Sequence, residues 1–302
     1  MEDREGLKLE QRHGKARVRV SRVWRRPGGE QFIVEWNVSV NLYSDCPQAY
    51  FKGDNSDIVA TDSMKNTVYV KAKECQQILS VEDFAIILGN HFTATYPQVT
   101  RAIIKIVEKP WERFLVDGEH HKHGFKLGSE RHTTEVDVER GGALLVTSGV
   151  EGLSVLKTTN SGFEGFIRDE YTLLKDTNER ILATEVSALW RYSSVPLRPF
   201  TFSERYLAVK KALLETFFGP PNEGVYSPSV QTTLYLMARA ILQRFPDVEW
   251  VHLKMPNLHF LPVNLGGLVK FNDDVYIPTD EPHGTIEACL SRKHAIPLPS
   301  KL

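Results

Sequence analysis

The run from Val34 to Leu42 constrains the fold more than any other feature of the chain. Val34, Trp36, Val38, Val40 and Leu42 alternate without a break with Glu35, Asn37, Ser39 and Asn41. Successive side chains point to opposite sides of a strand, so this run has one apolar face and one wet face. A lone hairpin cannot bury such a face; a wider antiparallel sheet with a covering layer is needed. Upstream, Val18, Val20 and Trp24 share a face within 16–25, and Pro27-Gly28-Gly29 supplies a turn. A long antiparallel hairpin is therefore predicted.

The rest of the first half follows from spacing. A strand is predicted near Asn66–Ala72. Ser80-Val81-Glu82-Asp83 reads as a capping-box-like helix start, and Phe84, Ile87, Leu88, His91 and Phe92 follow at helical spacing. Gly89 weakens that helix and Pro97 ends it. Strands near 99–108 and 133–147 close this half, the last pair joined across Gly141-Gly142. The second half is predicted to contain strands near 150–158 and 180–192, helices near 203–217 and 228–244, and strands near 248–255, 258–265 and 284–290. Ser227-Pro228 suits an N-cap followed by a first-turn proline. The two halves share their order of elements. Ile58-Val59-Ala60-Thr61-Asp62 also echoes Ile181-Leu182-Ala183-Thr184-Glu185, an offset of 123 residues from Thr61 to Thr184. The fold class expected is α+β, with two tandem domains of antiparallel sheet over 15–141 and 142–294, and tails at 1–14 and 295–302.

Composition narrows the function. The 302 residues leave room for about two domains. The 37 Lys and Arg against 38 Asp and Glu give a net charge of −1, which excludes a chain-wide basic footprint for nucleic acid. No run of about 18 apolar residues suggests a membrane span. No GxGxxG or GxxxxGK[ST] occurs, so signals for βαβ nucleotide binding are missing. Cys46, Cys75 and Cys289 are an odd, widely spaced set, which suits a reducing intracellular home without a disulfide framework. The charged N-terminus lacks the apolar region of a secretory signal. The chain closes on Ser300-Lys301-Leu302, a peroxisomal import address read by a receptor, behind Pro297 and Pro299, which favour an extended tail. A peroxisomal location is expected, and with it oxygen chemistry.

Several stretches could carry that chemistry. The apolar run 58–60 delivers Thr61 and Asp62 to its end. The stretch from Thr158 to Tyr171 is too long and too rich in specific polar and aromatic side chains for a plain connector. Arg180 opens a strand, and Asn257 and His259, two apart in Met255-Pro256-Asn257-Leu258-His259-Phe260, share one strand face. Taken singly, each has a plainer reading. Arg180 could be a solvated strand end, Lys15 a surface lysine, and His259 and Phe163 core residues. His120, His121, His123 and His132 invite a copper or zinc reading. The Gly-flanked, Lys122-containing stretch instead suggests a solvated hairpin loop, and no metal is expected.

Taken together, the segments 58–70 (IVATDSMKNTVYV), 152–186 (GLSVLKTTNSGFEGFIRDEYTLLKDTNERILATEV), 229–238 (SVQTTLYLMA) and 255–260 (MPNLHF) resemble the urate oxidase (uricase) family, over nearly the whole chain from about Gly14 to Arg292. The resemblance implies two tandem tunnelling-fold (T-fold) domains, antiparallel sheets with helices on one face. It also implies a homotetramer with active sites at subunit interfaces, no cofactor, and urate and O2 as substrates. By motif it implies catalytic roles for Lys15, Thr61 and His259. Substrate contacts would come from Thr61, Asp62, Phe163, Leu174, Arg180, Val230, Gln231 and Asn257, with oxygen or water held by Thr61 and Asn257. A planar guanidinium suits two parallel hydrogen bonds to one edge of a flat anion, an amide suits a mixed donor–acceptor edge, and a phenyl ring stacks on the plane. The implied base is a neutral amine at Lys15 with the Thr61 hydroxyl as relay. The alternative is a non-catalytic T-fold protein that binds a purine or pterin. Such a binder needs Arg180 and Gln231 but has no use for Lys15, Thr61 and Asn257.

Overall fold

Long strands with one buried face recur through both halves of the chain. The structure, a computed structural model, describes residues 9–193, 195, 201–266 and 272–293. The chain falls into two compact units, Met1–Gly149 with Ser194–Ser203, and Val150–Ser193 with Glu204–Leu302. The predicted import tripeptide Ser300-Lys301-Leu302 lies outside the described residues.

Unit 1 is built on strands β1 (His13–Arg25), β2 (Gln31–Ser44), β3 (Val99–Glu108), β6 (Arg131–Glu139) and the start of β7 (Leu144–Lys157), neighbours in that order. Its helices are α1 (Pro47–Phe51), α2 (Thr61–Glu74) and α3 (Val81–Thr95), and β4 (Trp111–Val116) and β5 (Glu119–Leu127) form a separate ribbon. The pairing is antiparallel, with Val38 opposite Val18 and Ile106, and Ile104 opposite Val136. Trp36, Val38, Val40 and Leu42 are buried as their alternation requires, and Trp36 stacks on Phe84 of α3 at 4.3 Å between ring centres. Each such side chain contributes about 1.5–3 kcal/mol by leaving water. Helix α3 lies on β3 and β6. Gly89 is the point of closest approach: a Cβ there would sit 2.5 Å from Cγ2 of Val138. The residue that weakens the isolated helix is the one that lets it press on the sheet.

A polar network sits inside this apolar layer. Glu82, fully buried in the first turn of α3, accepts hydrogen bonds from Nε2 of His132 (2.7 Å) and from Oγ of Ser148. Burial works to raise its carboxyl pKa, but the imidazole of His132 and the two hydrogen bonds outweigh it and hold the group below its usual value. His132 is thus committed to a buried carboxylate.

Unit 2 repeats the order. The end of β7 and β8 (Leu182–Tyr192) are followed by the body of α4 (Phe202–Phe218), then α5 (Val230–Arg244), β9 (Val248–Pro262) and β10 (Tyr276–Ser291). Tyr206 of α4 packs on Trp190 of β8, and α5 lies on β9 and β10 through Leu234, Met237, Ala238 and Ile241.

The two units match in their helix caps and helix ends at an offset of 149 residues, and in a closing arginine at an offset of 152. Ser80 and Ser229 are the N-caps of α3 and α5, and each Oγ accepts the N–H three residues on, from Asp83 and Thr232, at 3.1 Å. Tyr96-Pro97-Gln98-Val99 and Phe245-Pro246-Asp247-Val248 end the helices and start the next strands. Nε of Arg140 donates to the Val99 carbonyl at 2.9 Å and its Nη2 to that of Tyr96. Arg292 treats Val248 (2.9 Å) and Phe245 (3.2 Å) in the same way. Each arginine closes a helix end whose carbonyls lack helical partners.

Several sequence expectations are corrected. Asn66–Ala72 is helix, the middle of α2, because Met64, Val68 and Ala72 recur every fourth residue and are the buried ones, leaving Tyr69 and Val70 outside. Thr61-Asp62 consequently starts a helix while Thr184-Glu185 lies in β8, so the 123-residue echo does not mark equivalent positions. The cap of α5 is Ser229, since Ser227 is taken up in a bridge to Ser161. The separate strands foreseen at 248–255 and 258–265 are one, β9. His120, His121 and His123 lie on β5 and not in a loop. The turn is Asp117-Gly118, and Arg113 of β4 holds the ribbon by donating to the carbonyls of His121 (2.6 Å) and Lys122 (2.9 Å).

Replacing Arg140 or Arg292 by alanine is expected to lower unfolding stability by about 1–2 kcal/mol each, measured by urea denaturation. Equivalent clips should give similar losses; a cost at one site alone would break the equivalence.

Candidate active site

The sequence-predicted residues gather into two groups, one in each unit. In unit 1, Lys15 lies on β1 and Thr61 and Asp62 form the first turn of α2. Strand β1 reaches that helix start through His13, whose ring Nε2 lies 3.1 Å from the carbonyl oxygen of Val59. Gly14 is required beside it, since a Cβ there would fall 2.1 Å from the Val40 carbonyl oxygen. Asp62 accepts from Nζ of Lys65 (2.6 Å) and Nδ2 of Asn66 (2.8 Å). Its pKa is lowered chiefly by that lysine, with a smaller contribution from the charge of Lys15. Lys15 and the α2 N-terminus therefore share one electrostatic neighbourhood. The free N–H groups of that first turn add a further attraction for anions.

In unit 2 the stretch 158–181 has little regular structure, yet its backbone is stitched. Phe163 and Thr177 exchange hydrogen bonds, N to O, of 2.7 and 3.1 Å. The Arg180 N–H donates to the Ser161 carbonyl at 2.9 Å, and the Gly162 N–H to that of Ser227 at 2.9 Å. Gly162 admits no side chain, because a Cβ would meet the Tyr226 hydroxyl at 2.2 Å. These bonds bring Phe163 and Arg180 together, with the guanidinium 5.5 Å from the ring centre. Phe163 also stacks on Phe166 at 4.8 Å. Arg180 is half-buried, and burial lowers its pKa from the usual value. Among the described residues no carboxylate pairs with it; its Nε has only the Ser161 hydroxyl, at 3.4 Å.

The other predicted residues of unit 2 lie on α5, on β9 and in the stretch before β8. Val230 is buried and Gln231 exposed in the first turn of α5, a few residues beyond Ser227. Asn257 and His259 project from one side of β9, half-buried, opposite Gly284 and Thr279 of β10. Leu258 pairs with Ala183, three residues past Arg180, which sets that segment beside the start of β8. Leu174 stands apart: its side chain is exposed, and its carbonyl accepts from Arg168 Nη1 at 2.8 Å. Sequence reasoning missed Ser161, Tyr226 and Lys157, which fix the backbone of this group. Their signal was present in the crowding of small and polar residues around 157–162 and 225–229. Among the described residues, no three His, Cys, Asp or Glu side chains are placed to hold a metal ion.

Comparison with known proteins gives one consistent answer. The family model described as Uricase matches residues 11–137 and 146–287. Uricase-2 of Phaseolus vulgaris is 68% identical over 297 residues, covering 95% of this chain and 96% of that protein. The uricase of Arabidopsis thaliana is 63% identical over 302 residues, covering 96% and 98%. The crystal structure of uricase from Arthrobacter globiformis superposes with a TM-score of 0.88 at 34% identity, covering 97% of this chain and 98% of that one. These relatives favour oxidation over the binding-only alternative. The chain belongs to the uricase family.

Proposed function

We propose that the chain oxidises urate with O2 and water to 5-hydroxyisourate and H2O2, using no bound cofactor. The observation that carries this reading is the half-buried Arg180 guanidinium beside the face of Phe163, with no carboxylate among the described residues to neutralise it. A planar cation held next to an aromatic plate suits a flat, oxygen-rich anion. Gln231 offers its amide to another edge, and the first-turn N–H groups at Thr61-Asp62 and Val230 supply backbone donors. Leu174 contributes a backbone contact.

In the mechanism read from these residues, Lys15 removes a proton from bound urate, with Thr61 as relay. The resulting dianion gives up two electrons to O2, and water adds to the oxidised ring. The oxygen of that water ends in 5-hydroxyisourate, and O2 leaves as H2O2. Asn257 holds oxygen or water over the ring with Thr61, and His259 passes protons through water. The half-sites of the two units come together at subunit interfaces of a homotetramer, and import through Ser300-Lys301-Leu302 places the enzyme in the peroxisome, where the peroxide formed is contained.

Protein dialysed against a strong chelator should consume urate, followed by ultraviolet absorbance, and release one peroxide per urate. Activity lost on chelation and regained only with metal would overturn the cofactor-free reading. Lys15→Ala should reduce turnover by about 10²–10⁴-fold while leaving binding of xanthine, a purine dione lacking the 8-oxo group, close to that of the parent. Arg180→Ala should weaken xanthine binding by about 2–3 kcal/mol, measured by calorimetry, because it leaves an anionic edge unpaired.

A further inference from the structure

Lys157, at the inner end of β7, touches the loop leading into Gln231 while standing in the strand that leads into Phe163 and Arg180. Its Nζ donates to the carbonyl of Val225 at 2.6 Å and to Oγ of Ser227 at 2.7 Å. The ring of Phe217 covers it, 5.4 Å from nitrogen to ring centre. Among the described residues no carboxylate pairs with this ammonium. Burial alone pulls its pKa down, to about 8. A charge desolvated in this way and given only neutral partners is costly as pure scaffolding, which directs attention to what it holds.

The held loop connects to both jaws of the proposed clamp. Ser227, almost fully buried, accepts the Gly162 N–H at 2.9 Å and donates its own N–H to Asn160 at 2.8 Å. From there the chain runs through Ser161, which binds Arg180 by main chain and side chain, to Phe163. In the other direction Ser227 leads through the cap Ser229 to Val230 and Gln231. The Tyr226 hydroxyl ties the same loop to the Asn178 carbonyl at 3.3 Å.

We propose that Lys157 is a positioning residue for the substrate clamp, fixing the Val225–Ser227 loop so that Gln231 keeps its place relative to Phe163 and Arg180. It touches no substrate and takes no part in proton transfer. The inference rests on the urate reading of those residues and adds a determinant of affinity that lies behind them.

Lys157→Met keeps the apolar stem and removes the donors. It should raise KM for urate and Kd for xanthine together, with kcat/KM down by about 10²-fold and kcat changed far less, since Lys15 and Thr61 are untouched. Lys157→Arg, which can still donate to both acceptors, should recover part of the affinity, and Ser227→Ala should shift KM in the same direction by a smaller factor. A merely structural lysine would lower the active fraction, and so kcat, without moving KM or Kd; that pattern, or parent-like KM and Kd in Lys157→Met, overturns the proposal. Should Lys157→Met fail to fold, the decision falls to Ser227→Ala, whose unchanged KM would be equally fatal. If Arg180→Ala also binds xanthine as the parent does, the urate reading itself fails. An unaffected Lys157→Met beside a crippled Arg180→Ala removes only the positioning role.

Discussion

The structure depends on covering the apolar face of the antiparallel strands of each unit with a helix that cannot slide. A helix on a sheet is held by non-directional burial, which tolerates small shifts. Here both ends are pinned by directional bonds. A serine caps the start of α3 and of α5, and an arginine just past the end of β6 or β10 ties down the last carbonyls at Tyr96 and Phe245. Fixing the ends fixes the first turn, and the first turn of α5 carries Val230 and Gln231. The position of a proposed ligand-binding amide is therefore set by the same bonds that hold the layer together.

Duplication shows what a site requires beyond such a scaffold. Glu82 and Gln231 occupy the same place in the two units, second in a helix capped by serine. In unit 1 the carboxylate is fully buried and consumed by His132 and Ser148. In unit 2 the corresponding amide is exposed, and the nearby cation, Arg180, has no carboxylate among the described residues. At this position one copy spends its polar group on internal hydrogen bonds, while the other leaves its amide exposed, as the proposed binding role requires.

The sequence made the sheet legible because period-two alternation is local: β2 and the helices α3, α4 and α5 can be read from spacing alone. It misled where two periodicities overlap. In Asn66–Ala72 the β-branched residues Thr67, Val68 and Val70 hid a four-residue repeat of Met64, Val68 and Ala72, and only packing decides between the two readings. The repeat was sought in apolar identity at 58–62 and missed at Ser80 and Ser229, where the shared features are a cap and a Pro-initiated strand. Phe163, Arg180, Gln231, Asn257 and His259 were legible as members of a motif set. Lys157 was not, because a lysine in a polar stretch looks solvated until its two neutral partners and the Phe217 ring are seen.

The electrostatic contrast between the two groups of site residues follows from how each charge is neutralised. Asp62 is held by Lys65 and Asn66, and the charge of Lys15 acts on it as well. Arg180 and Lys157 are cations withdrawn from water without counter-charges among the described residues. Among the described residues their desolvation is offset by hydrogen bonds to neutral groups, which for the Arg180 side chain means the Ser161 hydroxyl at 3.4 Å. A bound anion would supply Arg180 with the missing charge, whereas Lys157, with two short bonds already made, gains nothing from one. The same desolvation thus produces a ligand-seeking group at one position and a fixed anchor at the other, and the difference lies in how many acceptors the fold brings within reach.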